Sequence, residues 1–186
     1  PALMLSVNIL GTINLLEAFR DHLKTARIIV VSTSRVYGTH DSDELINENT
    51  PMSPTSLYGI SKAACDMASL AFARKHDMHI MTVRPTNHSG PGQSEKFVIP
   101  SFARQLKQMK NKSGVKMMVG NLDSERFFLD VRDVTRAYRL LLEKGRPGEA
   151  YNVSSNQRVS VRLVLNELIS ISGANPEVVM DHKRYR

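Results

Sequence analysis

Two short runs of apolar residues constrain the fold of this chain most strongly. Residues 28–31 read Ile-Ile-Val-Val, and residues 80–83 read Ile-Met-Thr-Val. Runs of this kind, without alternating polar positions, are typical of parallel strands buried on both faces of a sheet. Patterns with helical periodicity cover residues 3–23 and 57–75, one before each run. The order helix, strand, helix, strand predicts an α/β fold.

The composition fits this class and disfavours several functions. The chain has 186 residues, which is the length of one domain or slightly more. Its formal net charge is +7, but the basic residues are dispersed and not interleaved with aromatic ones, so we expect no nucleic-acid partner. The single cysteine, Cys65, lies in an apolar helical pattern and predicts a buried thiol in a reducing compartment. No zinc-type ligand cluster is evident, and we predict no metal site.

The apolar N-terminal segment, residues 3–16, could be mistaken for a signal peptide or a membrane span. No basic residues precede it, Asn8 and Asn14 interrupt it, and Glu17 continues the same helix. We therefore expect a buried helix and no membrane partner. Because the chain begins with Pro1 and runs directly into helix, we expect it to be part of a longer protein.

Polar residues follow both predicted strands, where α/β folds place their chemistry. After the first strand come Ser32, Thr33 and Ser34, whose hydroxyls could bind a substrate oxygen or simply cap a loop. After the second strand comes a polar stretch, residues 84–93, that contains Gly-Pro-Gly and predicts a long loop.

Tyr58 and Lys62 are four residues apart at the start of the second predicted helix. Residues at this spacing share one helix face, so the phenol and the ammonium can enter the same site. A nearby cation favours the phenolate, which makes such a tyrosine a candidate general acid or base. The same spacing is also common on ordinary surface helices, so the pair alone does not establish a site.

Four motifs follow one another along the chain: Asn8-x-x-Gly11-Thr12-x-Asn14, Ser32-Thr33-Ser34-x-Val36-Tyr37-Gly38, Tyr58-x-x-x-Lys62, and Arg84-Pro85-x-Asn87-His88-x-Gly90-Pro91-Gly92-Gln93. A resemblance to the extended short-chain dehydrogenase/reductases that act on nucleotide sugars rests on these motifs together and covers nearly the whole chain. It implies an α/β chain: the C-terminal part of a Rossmann-type parallel sheet with helices on both faces, plus a small, incomplete substrate domain.

The resemblance also implies roles for individual residues. Tyr58 would protonate the sugar O4, Lys62 would bind the nicotinamide ribose and favour the phenolate of Tyr58, and Thr33 would hold the 4-oxygen. The remaining implied residues fall into two groups: cofactor-binding residues Asn8, Ser32, Pro85 and His88, and substrate-binding residues Ser34, Arg35, Asn87 and Arg126. His88 could equally be structural within its loop, and Arg126 could be a surface residue.

Arg35 bears on the type of reaction. Related 4,6-dehydratases have a glutamate there that serves in the elimination, and an arginine does not deprotonate at any relevant pH. The resemblance therefore implies reduction or epimerisation rather than dehydration. Within the family, the loop after the second strand is most similar to that of reductases acting on GDP-4-keto-6-deoxy-mannose. We expect NAD(P)H as cofactor, with the choice between NADH and NADPH open.

The glycine-rich dinucleotide motif of the family is absent from this sequence. We expect residues 1–86 and 131–154 to belong to the cofactor domain, and residues 87–130 and 155–186 to the substrate domain. Three hypotheses stay open: a reductase, an epimerase of the same fold, and an inactive fragment. The resemblance further implies a cytoplasmic homodimer built on the first helix and the helix that carries Tyr58.

Overall fold

A computed structural model of the chain describes residues 1–39, 45–109, 114–181 and 184. These residues form two compact units. Unit 1 comprises Pro1–Thr86 and Arg132–Ser154, and unit 2 comprises Asn87–Val131 and Ser155–Arg186. The assignment of these parts to cofactor and substrate stays a prediction. In chain order the main elements are α1 (Ala2–His22), β1 (Ile28–Val31), α2 (Leu57–His76), β2 (Ile80–Pro85), β3 (Asn87–Ser89), α3 (Val98–Met109), β4 (Lys116–Val119), β5 (Glu125–Asp130), α4 (Val131–Lys144), β6 (Ala150–Val153), β7 (Arg158–Ser160), α5 (Val161–Ser172) and β8 (Glu177–Met180).

Unit 1 is built on a parallel sheet with the strand order β1-β2-β6. Val31 of β1 pairs with Val83 of β2, and Val83 pairs with Tyr151 of β6. Every residue of the central strand β2 is buried, as expected for a strand covered on both faces. The predicted α/β class is confirmed, and β2 extends two residues beyond the predicted run, to Pro85.

Side chains of β2 alternate between the two faces of the sheet. Ile80 packs in a core cluster with Leu16 of α1 and Cys65 of α2. Met81 points the opposite way, where its sulfur fills the space beside Gly145 after α4. Cys65 is only 2% exposed, which confirms the predicted buried thiol.

Helix α1 corrects one prediction, because within the described residues it is mostly exposed. Leu16 is its only buried residue, whereas Leu3, Val7 and Leu10 are each more than half exposed. The reason is packing on one side only: the face with Leu16 lies against α2, and these leucines and the valine lie on other faces. By length and composition α1 could cross a membrane, which is weak evidence because core helices and signal sequences meet the same criterion.

The described residues of unit 2 form two small sheets. In one, β3 pairs with β5 in parallel and β5 pairs with β7 in antiparallel fashion; in the other, β4 pairs with β8 in parallel. The loop predicted over residues 84–93 is therefore wrong over Asn87–Ser89, which form β3. Pairing with β5, about forty residues later, makes this polar tripeptide a strand, and no local pattern signals it.

The core of unit 2 lies between α3, β4 and α5. The sequence pattern of residues 97–111 predicts an amphipathic helix with Phe97, Phe102, Leu106 and Met109 facing inward. Phe102, Leu106 and Met109 are buried in α3 as this pattern predicts, but Phe97 precedes the helix and is 57% exposed, so its predicted inward position is wrong. Residues 110–111 of the predicted helix lie outside the described residues. The sequence also predicts Ser160 as the cap of the last helix. The structure confirms this, since the Ser160 hydroxyl accepts a hydrogen bond from the Leu163 amide at the start of α5.

Candidate active site

The carboxyl ends of β1 and β2 meet at one edge of the sheet in unit 1. The Ser32 amide, directly after β1, donates to the Val83 carbonyl at 2.8 Å and holds the two strand ends together. Ser32 and Thr33 are buried, Ser34 is partly exposed and Arg35 is exposed. This edge is the position where α/β folds bind ligands.

Helix α2 begins directly beside this edge. The Ser56 side chain caps it by accepting from the Gly59 amide at 3.1 Å. A Cβ at Gly59 would lie 2.9 Å from the Arg35 carbonyl oxygen, so only glycine allows the helix start to approach the segment after β1 this closely. The sequence thereby places the first turn of α2 against residues that follow β1.

Tyr58 and Lys62 lie in the first two turns of α2, as predicted. The Lys62 Nζ donates to the Val31 carbonyl at the end of β1 at 2.9 Å, and the Ser32 hydroxyl donates to the Lys62 carbonyl at 3.4 Å. The Tyr58 side chain is 41% exposed and so remains open to a ligand. The structure thus brings the ammonium to the strand edge that carries Ser32 and Thr33.

A 3₁₀ turn, Ser34–Tyr37, follows Thr33. The Thr33 hydroxyl caps the turn by accepting from the Arg35 amide at 3.4 Å. Gly38 ends the turn at φ +80°, and a Cβ there would clash with the Ser53 carbonyl oxygen. The turn is therefore packed tightly, and it holds Thr33 and Ser34 beside the strand edge.

Asn8 lies in a π-helical segment of α1, Ser6–Leu10, and is partly buried. Its side-chain amide donates to the Ser61 hydroxyl at 3.0 Å, and that hydroxyl donates to the Tyr58 carbonyl at 2.8 Å. Asn8 thus supports the helical turn that carries Tyr58. Pro85, the remaining predicted residue of unit 1, is buried at the end of β2.

Asn87, His88 and Arg126 belong to unit 2. Asn87 and His88 lie on β3, Arg126 lies on β5, and the Asn87 side-chain amide donates to the Phe127 carbonyl at 3.4 Å. The His88 carbonyl accepts from the Gln93 side chain at 3.1 Å, which closes the loop after β3. Asn87 and His88 therefore lie on the strand that pairs with the one carrying Arg126.

The sequence analysis did not predict the buried polar network around Arg84. The Arg84 guanidinium forms a bidentate ion pair with Asp66, with Nε–Oδ2 at 2.9 Å and Nη2–Oδ1 at 3.0 Å. Its Nη1 donates to the Tyr37 hydroxyl at 2.8 Å and to the Glu48 carbonyl at 3.0 Å. Arg84 is 4% exposed and Asp66 is fully buried. The signal that the sequence offered was a charged residue, Arg84, directly after the predicted strand of residues 80–83.

The hydroxyl of Tyr37 extends this network to β6. It donates to the Asn152 side-chain oxygen at 2.8 Å, and the Asn152 amide donates to the Glu48 carboxylate at 2.7 Å. Burial raises the pKa of the Tyr37 phenol, an effect that Arg84 partly offsets. Burial also acts to lower the pKa of Arg84, but hydrogen bonds with Asp66 and Tyr37 outweigh it and the pKa lies above its ordinary value.

The residues at this edge suit a ligand that carries hydroxyl groups better than a metal ion. Buried hydroxyls and an ammonium, from Ser32, Thr33 and Lys62, are hydrogen-bonding partners for sugar hydroxyls. No group of three or more His, Cys, Asp or Glu side chains with metal-site geometry occurs within the part of the chain that the structure describes. The site therefore offers hydrogen bonding and the positive charge of Lys62, with that of Arg35 nearby in the chain.

Comparison with known proteins finds a matching family and similar relatives. Residues 1–183 match the family model described as GDP-mannose 4,6 dehydratase. The GDP-6-deoxy-D-mannose reductase of Pseudomonas aeruginosa is 37% identical over 188 residues, covering 100% of this chain and 62% of that protein. This chain therefore spans less than two thirds of the length of that relative.

Solved structures with a similar fold include one named RMD and one named UDP-glucose 4-epimerase. The structure of RMD from Pseudomonas aeruginosa complexed with NADPH matches with a TM-score of 0.91 at 36% identity, covering 97% of this chain and 63% of that one. The UDP-glucose 4-epimerase of Thermus thermophilus in complex with NAD matches with a TM-score of 0.81 at 30% identity, covering 93% of this chain and 56% of that one. Both matches extend over nearly the whole chain.

Proposed function

Because the chain belongs to the GDP-mannose 4,6 dehydratase family, we propose that the full-length protein is an NAD(P)H-dependent reductase of a nucleotide-linked 4-keto sugar. Its α/β fold is of the Rossmann type found in extended short-chain dehydrogenase/reductases. The similarity to a relative named GDP-6-deoxy-D-mannose reductase supports GDP-4-keto-6-deoxy-mannose as the substrate.

One observation carries this proposal: Lys62 reaches the carboxyl end of β1 while Tyr58, one helical turn earlier, stays accessible. When bound, the nicotinamide supplies the hydride that reduces C4. Tyr58 then gives its proton to O4, so that the ketone becomes a secondary alcohol. Lys62 holds the cofactor ribose, and its positive charge stabilises the phenolate that Tyr58 becomes when it has given up its proton. Thr33, beside the same strand edge, holds the sugar 4-oxygen.

The remaining residues take binding roles in this proposal. Cofactor-binding roles fall to Asn8, Ser32, Pro85 and His88, and substrate-binding roles to Ser34, Arg35, Asn87 and Arg126. An arginine fork suits the diphosphate oxygens of a nucleotide sugar. Arg35 also argues against the dehydratase reaction, because a guanidinium cannot act as the base in an elimination.

The test is oxidation of reduced cofactor by the full-length protein with GDP-4-keto-6-deoxy-mannose, using NADH and NADPH in parallel. We expect stoichiometric consumption, and a loss of about 10²–10⁴-fold in rate for Tyr58→Phe, which removes only the proton donor. Tyr151→Phe is the matched control, since the Tyr151 hydroxyl accepts from the Arg146 amide outside the site. A folded protein that binds cofactor but consumes none with this substrate refutes the reductase.

A 4-epimerase is the second candidate, supported by the similarity to the Thermus thermophilus UDP-glucose 4-epimerase. Tyr58 and Lys62 would serve that reaction equally well, since oxidation and reduction at C4 both need an acid–base group beside the nicotinamide. The two reactions differ in whether they consume reduced cofactor. An epimerase regenerates its cofactor, so interconversion of two nucleotide sugars without net consumption would favour it over the reductase.

We further propose that the full-length protein is a cytoplasmic homodimer. Apolar side chains on α1 and α2 support the dimer: Leu3, Val7, Leu10, Ile60 and Met67 are each between 45% and 77% exposed. Met67→Asp would place a charge in this surface and should shift sedimentation from dimer to monomer. An unchanged dimer in that variant would rule out this surface as the interface.

A further inference from the structure

A buried chain of hydrogen bonds joins α2, β2 and the 3₁₀ turn within unit 1. Asp66 lies four residues after Lys62, on the same face of α2 and one turn further from Tyr58. The fork of Arg84 on Asp66 therefore ties the helical face that carries Lys62 to the end of β2. Both partners are almost fully buried, so the pair has one geometry and little freedom.

The same guanidinium holds the far end of the 3₁₀ turn. Its Nη1 donates to the Tyr37 hydroxyl, and Tyr37 is the last residue of the turn that Thr33 caps. The Arg84 guanidinium also lies over the Tyr37 ring, 5.3 Å from its centroid. Tyr37 is 2% exposed, so its hydroxyl is fixed between Arg84 and Asn152.

The loop that contains Glu48 and Ser53 is bonded to Arg84 and to the turn. Arg84 donates to the Glu48 carbonyl, and the Ser53 amide donates to the Val36 carbonyl in the turn at 3.0 Å. The turn is thus fastened at its cap, its middle and its end. None of these contacts involves the parts of Tyr58 or Lys62 that would meet a ligand.

We propose that Tyr37, Asp66 and Arg84 are positioning residues that fix Thr33 relative to the helix face of Tyr58 and Lys62. This inference rests on the proposed function, because the proposed function is what assigns Thr33 to the sugar 4-oxygen. The network offers no group to the substrate itself; it acts through the turn. The variant that isolates this role is Tyr37→Phe, which keeps the ring and its packing and removes only the hydroxyl.

The first test measures activity in a double-mutant cycle with Thr33→Ala in the full-length protein. We expect Tyr37→Phe to lower kcat/KM about fivefold to tenfold, the size of one lost hydrogen bond, with cofactor Kd unchanged within about twofold. In the Thr33→Ala background, Tyr37→Phe should change kcat/KM by less than about twofold, because the Thr33 hydroxyl that Tyr37 positions is already absent. Equal losses in both backgrounds, or none in either, would overturn the proposal.

Two further variants serve as controls for this test. Asn152→Ala removes the acceptor of the Tyr37 hydroxyl and should act in the same direction as Tyr37→Phe. Tyr151→Phe removes a hydroxyl of the same unit that bonds to the Arg146 amide, and should leave kcat/KM unchanged. A loss with Tyr151→Phe equal to that with Tyr37→Phe would mean that general loosening, not positioning, causes the effect, and would also overturn the proposal.

The second test does not depend on activity. Amide hydrogen exchange in Tyr37→Phe should rise by about fivefold or more at Val36, Gly38 and Ser53, whose amides bond within or to the turn. The Ile60 amide, bonded to the Ser56 carbonyl in α2, should not change. Unchanged exchange in the turn refutes the inference. An inactive wild type with increased exchange in the variant refutes the proposed reaction and leaves the positioning network supported.

Discussion

Replacing Arg84 by methionine tests what the buried ion pair contributes to stability. Met has a similar length and no charge, so Arg84→Met removes four donated hydrogen bonds and leaves the Asp66 carboxylate fully buried. The Thr82 hydroxyl, at 3.2 Å, would still donate to that carboxylate. Breaking one side of a buried pair typically costs about 3–5 kcal/mol, because a charge stays behind without its partner.

The double variant Arg84→Met/Asp66→Leu should cost less than either single variant. It leaves no buried charge, and what remains is the loss of partners for Thr82, Tyr37 and Glu48, at about 1 kcal/mol each. We expect a loss of about 1–3 kcal/mol for the double variant. The sum of the two single losses would be about 6–10 kcal/mol, so the coupling energy should exceed about 3 kcal/mol.

Urea unfolding of the full-length protein, followed by circular dichroism, measures these differences. Arg162→Met is the matched control: its ion pair with Asp123 is solvent-exposed and should contribute less than about 1 kcal/mol. A loss for Arg84→Met no larger than that of this control would refute a large contribution from the buried pair. A loss for the double variant equal to the sum of the single losses would show that Arg84 and Asp66 are not coupled.

Three further predictions concern the elements around the site and in unit 2. Gly38→Ala should lower the free energy of unfolding by at least about 2 kcal/mol in urea, because its φ of +80° and the approach to the Ser53 carbonyl both exclude a Cβ; a neutral effect would contradict this. Ser160→Ala should cost about 1 kcal/mol in the same assay by removing the cap on the Leu163 amide, and Ser160→Asp should restore most of it. Tyr37→Phe should reduce the loss of stability at alkaline pH. Burial raises the pKa of Tyr37 in the folded state, so its contribution is intact below about pH 10 and is lost as pH rises through the folded pKa. An identical alkaline decline in wild type and variant, measured by urea unfolding at about pH 9 and 11, would exclude this effect.

The sequence by itself determined the features that depend on local patterns. Apolar β-branched runs predicted β1 and the first part of β2, and helical periodicity predicted α2 with Tyr58 and Lys62 on one face. Caps such as Ser160 were predictable for the same reason: the residues that interact are three or four positions apart.

Only the tertiary structure decided which side chains meet across long separations in the chain. The network of Arg84 joins residues 18 to 47 positions away, and Tyr37 reaches Asn152, 115 positions away. Strand β3 exists because β5 pairs with it, and the exposure of α1 depends on which of its faces has a neighbour. The free energy of these contacts comes from burial and from partners that no local pattern specifies. A sequence can therefore predict Tyr58 and Lys62, while the groups that hold the turn beside them emerge only when the strands and the helix come together.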